Sequence, residues 1–306
     1  MFRILKKNAE IGNATLPYEP NVSKAPEGFS GAPEIDLEKC TGCGKCVAEC
    51  PTDALGVKDQ KPENQRKFWL SYGDCIFCVL CEPVCPYQAI SFKGKFELAV
   101  RSKKDLIREK KFSLSDCGND PEFISAERLP EKKESNFSKD FTQGDFANLL
   151  SLDQIGSQLK EKIHTVFGRS LHIREVDAGS CNGCEIEITN LSNPIYDIER
   201  FGIHFVASPR HADMLLVTGP VTRQMELALV KTYAAVPDPK FVVACGTCAI
   251  GGGIFKGSYA VINGVDRSVP VDVYIPGCPP RPEAILFGIF LLLGKLSPKN
   301  KGQSTK

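Results

Sequence analysis

At 306 residues, 42% hydrophobic and 25% charged, the chain has the size and composition of about two ordinary soluble domains. Its 38 basic and 37 acidic side chains leave a net charge of +1 and are interspersed, which excludes the strong field of a nucleic-acid binder or an anionic-membrane reader. The 14 cysteines are the outlier, and the N-terminal MFRILKKNAEIG lacks the apolar core of an export signal, so the thiols point to a reducing compartment and metal ligation rather than disulfides.

Taken in order, residues 1–35 scatter Pro17, Pro20, Pro26, Gly28, Gly31 and Pro33 with little periodicity and are expected as an extended N-terminal arm. Residues 36–95 carry C-x2-C-x2-C-x3-C-P twice, as Cys40, Cys43, Cys46, Cys50 with Pro51 and as Cys75, Cys78, Cys81, Cys85 with Pro86. This run binds iron–sulfur clusters in two-cluster bacterial ferredoxins, where the fourth cysteine ligates the other cluster. Three thiols two residues apart wrap one tight loop, while the fourth leaves on a helical turn. The assignment is therefore Cys40, Cys43, Cys46 and Cys85 to one 4Fe-4S centre, and Cys75, Cys78, Cys81 and Cys50 to a second. Paired C-x2-C units also bind zinc, but zinc has no use for three close thiolates plus a crossed fourth in duplicate. Short strands are expected at 54–57 and 89–92, with a charged hairpin over 58–73 between the halves. Together they describe an α+β two-cluster ferredoxin domain.

Residues 96–170 shift towards Lys, Glu, Asp, Ser and Asn and are expected as a charged connector. Surface helices are predicted at 105–111 and 154–166, and Phe146, Leu149, Leu150 and Ile155 mark a docking helix. Cys117 has no partner at ligand spacing and is given no role. From 171 to 297 apolar strands alternate with helices, which predicts an α/β parallel sheet covered on both faces. Strands are expected at 171–176, 203–206, 213–218, 240–244 and 271–275. Helices are expected at 185–199 (broken near Pro194), 223–235 and 283–295. No apolar run reaches the roughly 20 residues of a bilayer span; the nearest, 284–293, is expected as a buried core helix. Residues 298–306 are left as a tail.

Open α/β sheets place their sites outside the carboxyl ends of the strands. Cys181 and Cys184 follow the first of these strands, Cys245 and Cys248 the fourth, and Cys278 the fifth. Five thiols are thus expected at one sheet edge, with glycines that let the backbone approach a bulky group. Four suffice for a third 4Fe-4S cluster, and Cys181, Cys184, Cys248 and Cys278 are chosen; Cys245, on the strand end, is expected as a buried neighbour. Glu185 and Glu187 stand beside this site, as carboxylates at a helix N-terminus or as proton carriers at a subunit boundary. His164, His172, His204 and His211 have no ligand spacing and are expected in structural roles.

The segments CNGCEIEIT (181–189), LLVTGPVT (215–222), CGTCAIGGGIF (245–255) and VDVYIPGCPPRPEA (271–284) resemble the small subunit of membrane-bound, formate-hydrogenlyase-type nickel–iron hydrogenases. The same region is similar to the 20-kDa (B-type) subunit of complex I. The resemblance implies a flavodoxin-like fold and a proximal 4Fe-4S cluster on Cys181, Cys184, Cys248 and Cys278. Two residues separate the first cysteine pair, where complex I B subunits have adjacent cysteines, and this favours the hydrogenase side. DCIFCVLCEPVCP (74–86) and FELAV (96–100) resemble the two-cluster ferredoxin-like subunit of the same hydrogenases and the I-type subunit of complex I. The chain then resembles a fusion of two subunits that are usually separate.

What this implies is an electron-transfer subunit with three 4Fe-4S clusters and no catalytic residue of its own. Its expected partners are a nickel–iron large subunit (complex I 49-kDa-like), membrane-arm subunits reached through that complex, and a soluble electron donor or acceptor. The expected place is cytoplasmic, peripheral on the inner face of the cell membrane. The alternatives are a complex I-like NADH/quinone or ferredoxin:acceptor module without hydrogenase activity, and a redox-inert scaffold in which metal only holds a docking surface.

Overall fold

The computed structural model describes residues 2–12, 15, 25–60, 64–113, 122–125, 160–161, 163–164 and 168–294. The N-terminal stretch departs at once from the extended arm: Phe2–Ile11 is a helix, α1. The prolines behind that expectation begin only at Pro17, and Lys6 and Glu10 pair across one helical turn at 4.0 Å.

The cysteine runs lie between two small sheets. The chain passes through β1 (Pro33–Ile35), the short helix α2 (Lys45–Ala48), β2 (Leu55–Gln60), β3 (Gln65–Ser71) and β4 (Ile90–Phe92). Strands β1 and β4 pair antiparallel. The expected hairpin is present as β2 and β3, in register from Leu55 opposite Leu70 to Gln60 opposite Gln65. It continues into β5 (Ile107–Ser113) and β6 (Glu122–Ser125), giving a four-stranded sheet in the order β2-β3-β5-β6.

Strand β5 corrects the helix expected at 105–111. A 3-10 turn at Lys103–Leu106 leads into a strand paired with β3 over its whole length. Its inward residues are Lys110 and Phe112, both buried. A lysine in a core-facing position hides the period-2 alternation that would have identified the strand. The segment expected as connector therefore begins inside the sheet of the cysteine-bearing half. Cys117, Phe146, Leu149, Leu150 and Ile155 lie outside the described residues. Of 154–166, residues 160–161 and 163–164 are helical, and Ile163 is packed in the core.

The second half alternates as expected: β7 (Leu171–Asp177), α3 (Gly183–Asn190), β8 (Ile203–Phe205), β9 (Met214–Thr218), α4 (Arg223–Ala235), β10 (Phe241–Cys245), α5 (Thr247–Gly251), β11 (Val273–Ile275) and α6 (Pro282–Gly294). The helix expected over 185–199 stops at Asn190, and the chain reforms only as a 3-10 turn at Ile198–Phe201. All five strands are parallel, in the order β8-β7-β9-β10-β11. Counted within this half the order is 2-1-3-4-5, a doubly wound sheet. Every residue of β9 is buried, and α6 packs Ile285, Ile289 and Leu292 into the core. Each such side chain contributes about 1.5–3 kcal/mol on burial.

The two halves are joined by specific contacts. Val100 and Tyr274 exchange backbone hydrogen bonds at 3.0 and 2.8 Å. Arg101 Nη2 donates to the Leu291 carbonyl at 2.8 Å, and Lys103 meets Asp266 at 3.0 Å. The Arg281 guanidinium lies 4.8 Å from the Phe29 ring centre.

Candidate functional site

Two recesses open beside the cysteine runs. The first, about 360 Å³, is lined by Cys40, Cys43, Cys46 and Cys85; the second, about 350 Å³, by Cys50, Cys75, Cys78 and Cys81. Each run thus sends its fourth thiol to the other recess. The loops reach this arrangement through left-handed backbone: Gly42, Gly44, Phe77 and Val79 have φ of 71°, 80°, 58° and 67°. Phe77 and the β-branched Val79 hold a costly conformation there, of the kind that clusters at ligand clamps. The turns aim backbone donors at sulfur. Phe77 N–H donates to Cys75 Sγ at 3.4 Å and Ala89 N–H to Cys85 Sγ at 3.3 Å.

Burial and neighbouring thiols set the electrostatics. Burial pushes the Cys46 and Cys75 thiols up to about 12 and Cys81 to about 11, and it raises Cys40 as well. Without a cation these groups hold their protons at neutral pH; binding a metal group would release them.

A third set of thiols lies beyond the carboxyl ends of β7, β10 and β11. Cys181 follows β7 and Cys184 opens α3, Cys248 lies in α5, and Cys278 follows β11. Cys248 is raised to about 12, first by burial and then by Cys278, Cys184 and Cys181, so the other three thiols lie within electrostatic reach of it. Cys245 ends β10 fully buried. Its thiol neighbours that of Cys184 and, together with burial, pushes Cys184 strongly up. Two glycines make room: a Cβ at Gly246 would lie 2.6 Å from Cys184 Sγ, and one at Gly253 2.9 Å from Cys248 Sγ. Beside the site Thr218 Oγ1 donates to Glu185 Oε1, and Glu175 is raised by burial and by Glu185. Glu187 accepts from Asn190 Nδ2 at 3.5 Å.

The histidines stay apart from the thiols. His172 meets Arg169 Nη1 at 2.6 Å and the His211 carbonyl at 3.1 Å, and His204 lies 3.8 Å from Glu199. Among the described residues, no group of three or more His, Cys, Asp or Glu closes on a point that would hold a single metal ion. Eight of the thiols line the two recesses instead.

The second and third thiol sets adjoin. Among the charges felt by Cys278 is that of Cys78. Thr247 Oγ1 lies within hydrogen-bonding distance of the carbonyls of Cys75, at 2.8 Å, and Gly277, at 3.1 Å. Lys256 meets Asp74 at 3.1 Å, and Ser71 donates to the other oxygen of that carboxylate at 2.7 Å. Sequence reasoning missed Thr247, Asp74 and Lys256. The only signal was adjacency, since Thr247 lies inside C-x2-C and Asp74 precedes Cys75.

Comparison with known proteins divides along the same line. Residues 181–292 match the family described as NADH ubiquinone oxidoreductase, 20 Kd subunit, and residues 39–89 match the 4Fe-4S dicluster domain. Formate hydrogenlyase subunit 7 of Escherichia coli is 47% identical over 150 residues, 49% of this chain and 59% of its own length. The chain thus spans less than two thirds of that relative. The probable membrane-bound hydrogenase subunit mbhJ of Pyrococcus furiosus is 54% identical over 137 residues, 45% of this chain and 82% of its own length. An uncharacterised protein of Methanocaldococcus jannaschii is 52% identical over 131 residues, 43% of this chain and 85% of its own length. Among solved structures, a chain of the membrane-bound sulfane sulfur reductase, an archaeal respiratory membrane complex, is 44% identical with a TM-score of 0.38, covering 44% of this chain and 74% of that one.

Proposed function

Because the chain belongs to the family of the 20-kDa subunit of NADH ubiquinone oxidoreductase and its hydrogenase relatives, we propose that it is an iron–sulfur electron-transfer subunit of a membrane-bound hydrogenase or complex I-like assembly. Twelve thiols hold three 4Fe-4S clusters: Cys40, Cys43, Cys46 and Cys85; Cys75, Cys78, Cys81 and Cys50; and Cys181, Cys184, Cys248 and Cys278. When bound, such clusters supply one-electron chemistry at potentials set by their surroundings. The observation that carries the reading is the convergence of the thiols into three sets, with Cys78 of the second within electrostatic reach of Cys278 of the third.

The chain's own groups then have distinct tasks. The thiols bind as thiolates, and the N–H groups of Phe77 and Ala89 stabilise charge on sulfur. Thr247, Asp74 and Lys256 hold the second set against the third. The sheet order 2-1-3-4-5 supports a flavodoxin-like second domain, with its site at the carboxyl ends of β7, β10 and β11. Cys181 and Cys278 are exposed there, and the apolar Ile186 and Ile254, close in the chain to Cys184 and Cys248, are exposed as well. That face suits a large partner subunit bearing the nickel–iron centre, where catalysis would sit. The two residues between Cys181 and Cys184 favour hydrogenase over NADH dehydrogenase. No helix among the described residues is long and apolar enough to cross a membrane, so peripheral attachment through membrane-arm subunits, on the inner face, fits the reading.

The test is anaerobic purification of the native complex with metal analysis and a reductive EPR titration. About twelve irons per chain, three reducible signals and nickel in a co-purifying subunit are expected. Reducible clusters without nickel would favour the complex I-like alternative. Zinc in place of iron would overturn both and leave a scaffold.

A further inference from the structure

The first thiol recess depends on a residue far from either cysteine run. Lys110, on β5, is 1% exposed. Its Nζ donates to the carbonyls of Leu37 and Cys40, the latter at 3.0 Å, and lies 4.4 Å from the Phe112 ring centre. Carbonyl oxygens only accept and an aromatic face attracts cations, so both environments favour the ammonium form. Burying an ammonium is costly unless its surroundings answer the charge. Among the groups that answer it are the carbonyls, the ring and the sulfur of Cys40: burial lowers the pKa of Lys110, and Cys40, within electrostatic reach, raises it.

The other charges around this recess are differently arranged. Arg66, from β3, also braces the loop, donating to the Gly42 carbonyl at 3.2 Å. Its charge is answered by Asp59 through two hydrogen bonds of 2.6 and 3.0 Å. Asp36 is also within reach of Lys110, but it is solvent-exposed and carries Lys39 at 3.6 Å. Among the charges felt by Cys81 at the second recess is the acidic Glu82.

We propose that Lys110 is a positioning residue for the first thiol set, which fixes the Leu37–Cys40 loop and places a buried positive charge that raises the reduction potential of the group held there. The inference rests on the cluster reading above. One electron added to a cluster increases its negative charge, and a cation in a low-dielectric setting favours that reduced form. Lys110 lies beyond residues 39–89, so the matched dicluster segment does not contain it.

The test uses the full chain in its purified complex, with Lys110→Met, Lys110→Gln and Lys110→Arg, followed by iron analysis and an EPR-monitored titration with dithionite. The Met and Gln variants are expected to keep their iron and to show one signal moved to more negative potential, with the other two unmoved. The Arg variant is expected to stay near the parent potential. If Met costs the cluster, Gln decides, because it keeps a donor to the carbonyls without the charge: a negative shift upholds the proposal. Unmoved signals at full iron content, equal movement of all three, or loss of one cluster in both neutral variants would overturn it and leave a structural lysine. Failure of the cluster reading itself would look different, because the parent protein would then lack iron or reducible signals.

Discussion

A methyl group added at Gly246 would sit 2.6 Å from Cys184 Sγ, and the residue's φ of 91° is one that L side chains rarely adopt. Gly246→Ala is therefore expected to empty the third site and spare the other two, read as loss of about a third of roughly twelve irons. Cys278→Ser should do the same, whereas Cys245→Ala should retain that iron. Full iron in Cys278→Ser would return Cys245 to the ligand set. The cysteine groups were legible because spacing along the chain is a local property. Thr247 and Lys110 were not, because their partners lie 172 and 70 residues away in the chain. Their residue types carry no mark of the role; a threonine or a lysine becomes informative only once the fold sets it against a cysteine carbonyl.

At the scale of elements, the second half was read almost strand for strand, since continuous apolar runs with helices between them have few other solutions. Strand β5 was misread because its buried positions include a lysine. The junction held by Thr247 gives a prediction at this scale. Thr247→Val removes the hydroxyl that bonds the Cys75 carbonyl and leaves a buried acceptor short of a partner, a loss of about 1–3 kcal/mol. A fall of several degrees in melting temperature is expected, with Thr247→Ser close to the parent. Equal stability of the Val and parent proteins would show that the junction does not depend on this bond. The flanking Lys256–Asp74 and Lys103–Asp266 pairs are partly exposed and contribute little, about 0–1 kcal/mol each.

For the whole molecule, the raised thiols make stability depend on pH when no metal is bound. Cys46, Cys75 and Cys248 rise from an ordinary value of 9.0 to about 12, and Cys81 to about 11. Above about pH 9 the unfolded chain loses these protons while the folded chain keeps them. Their contribution is then complete below pH 9 and is lost as pH rises through the folded values. The melting temperature of iron-free protein is expected to fall between pH 9 and 12, and the iron-loaded protein, its thiols already ionised, to fall much less. Parallel decline of both forms would contradict the assignment.

The backbone exchange between Val100 and Tyr274 has a consequence for solubility. Strand β11 is the outermost strand of the parallel sheet, and it is short and wholly apolar at Val273–Ile275. Such a margin is a template for adding strands from other molecules, and natural proteins cover it. Here the cover comes from the cysteine-bearing half. A fragment beginning at residue 168 would expose the margin together with the apolar surface around α6 that Phe96 and Ala99 cover in the full chain. Such a fragment is expected to self-associate at concentrations where the full chain stays dispersed, as light scattering would show. Its aggregation should diminish when a charged residue replaces Tyr274.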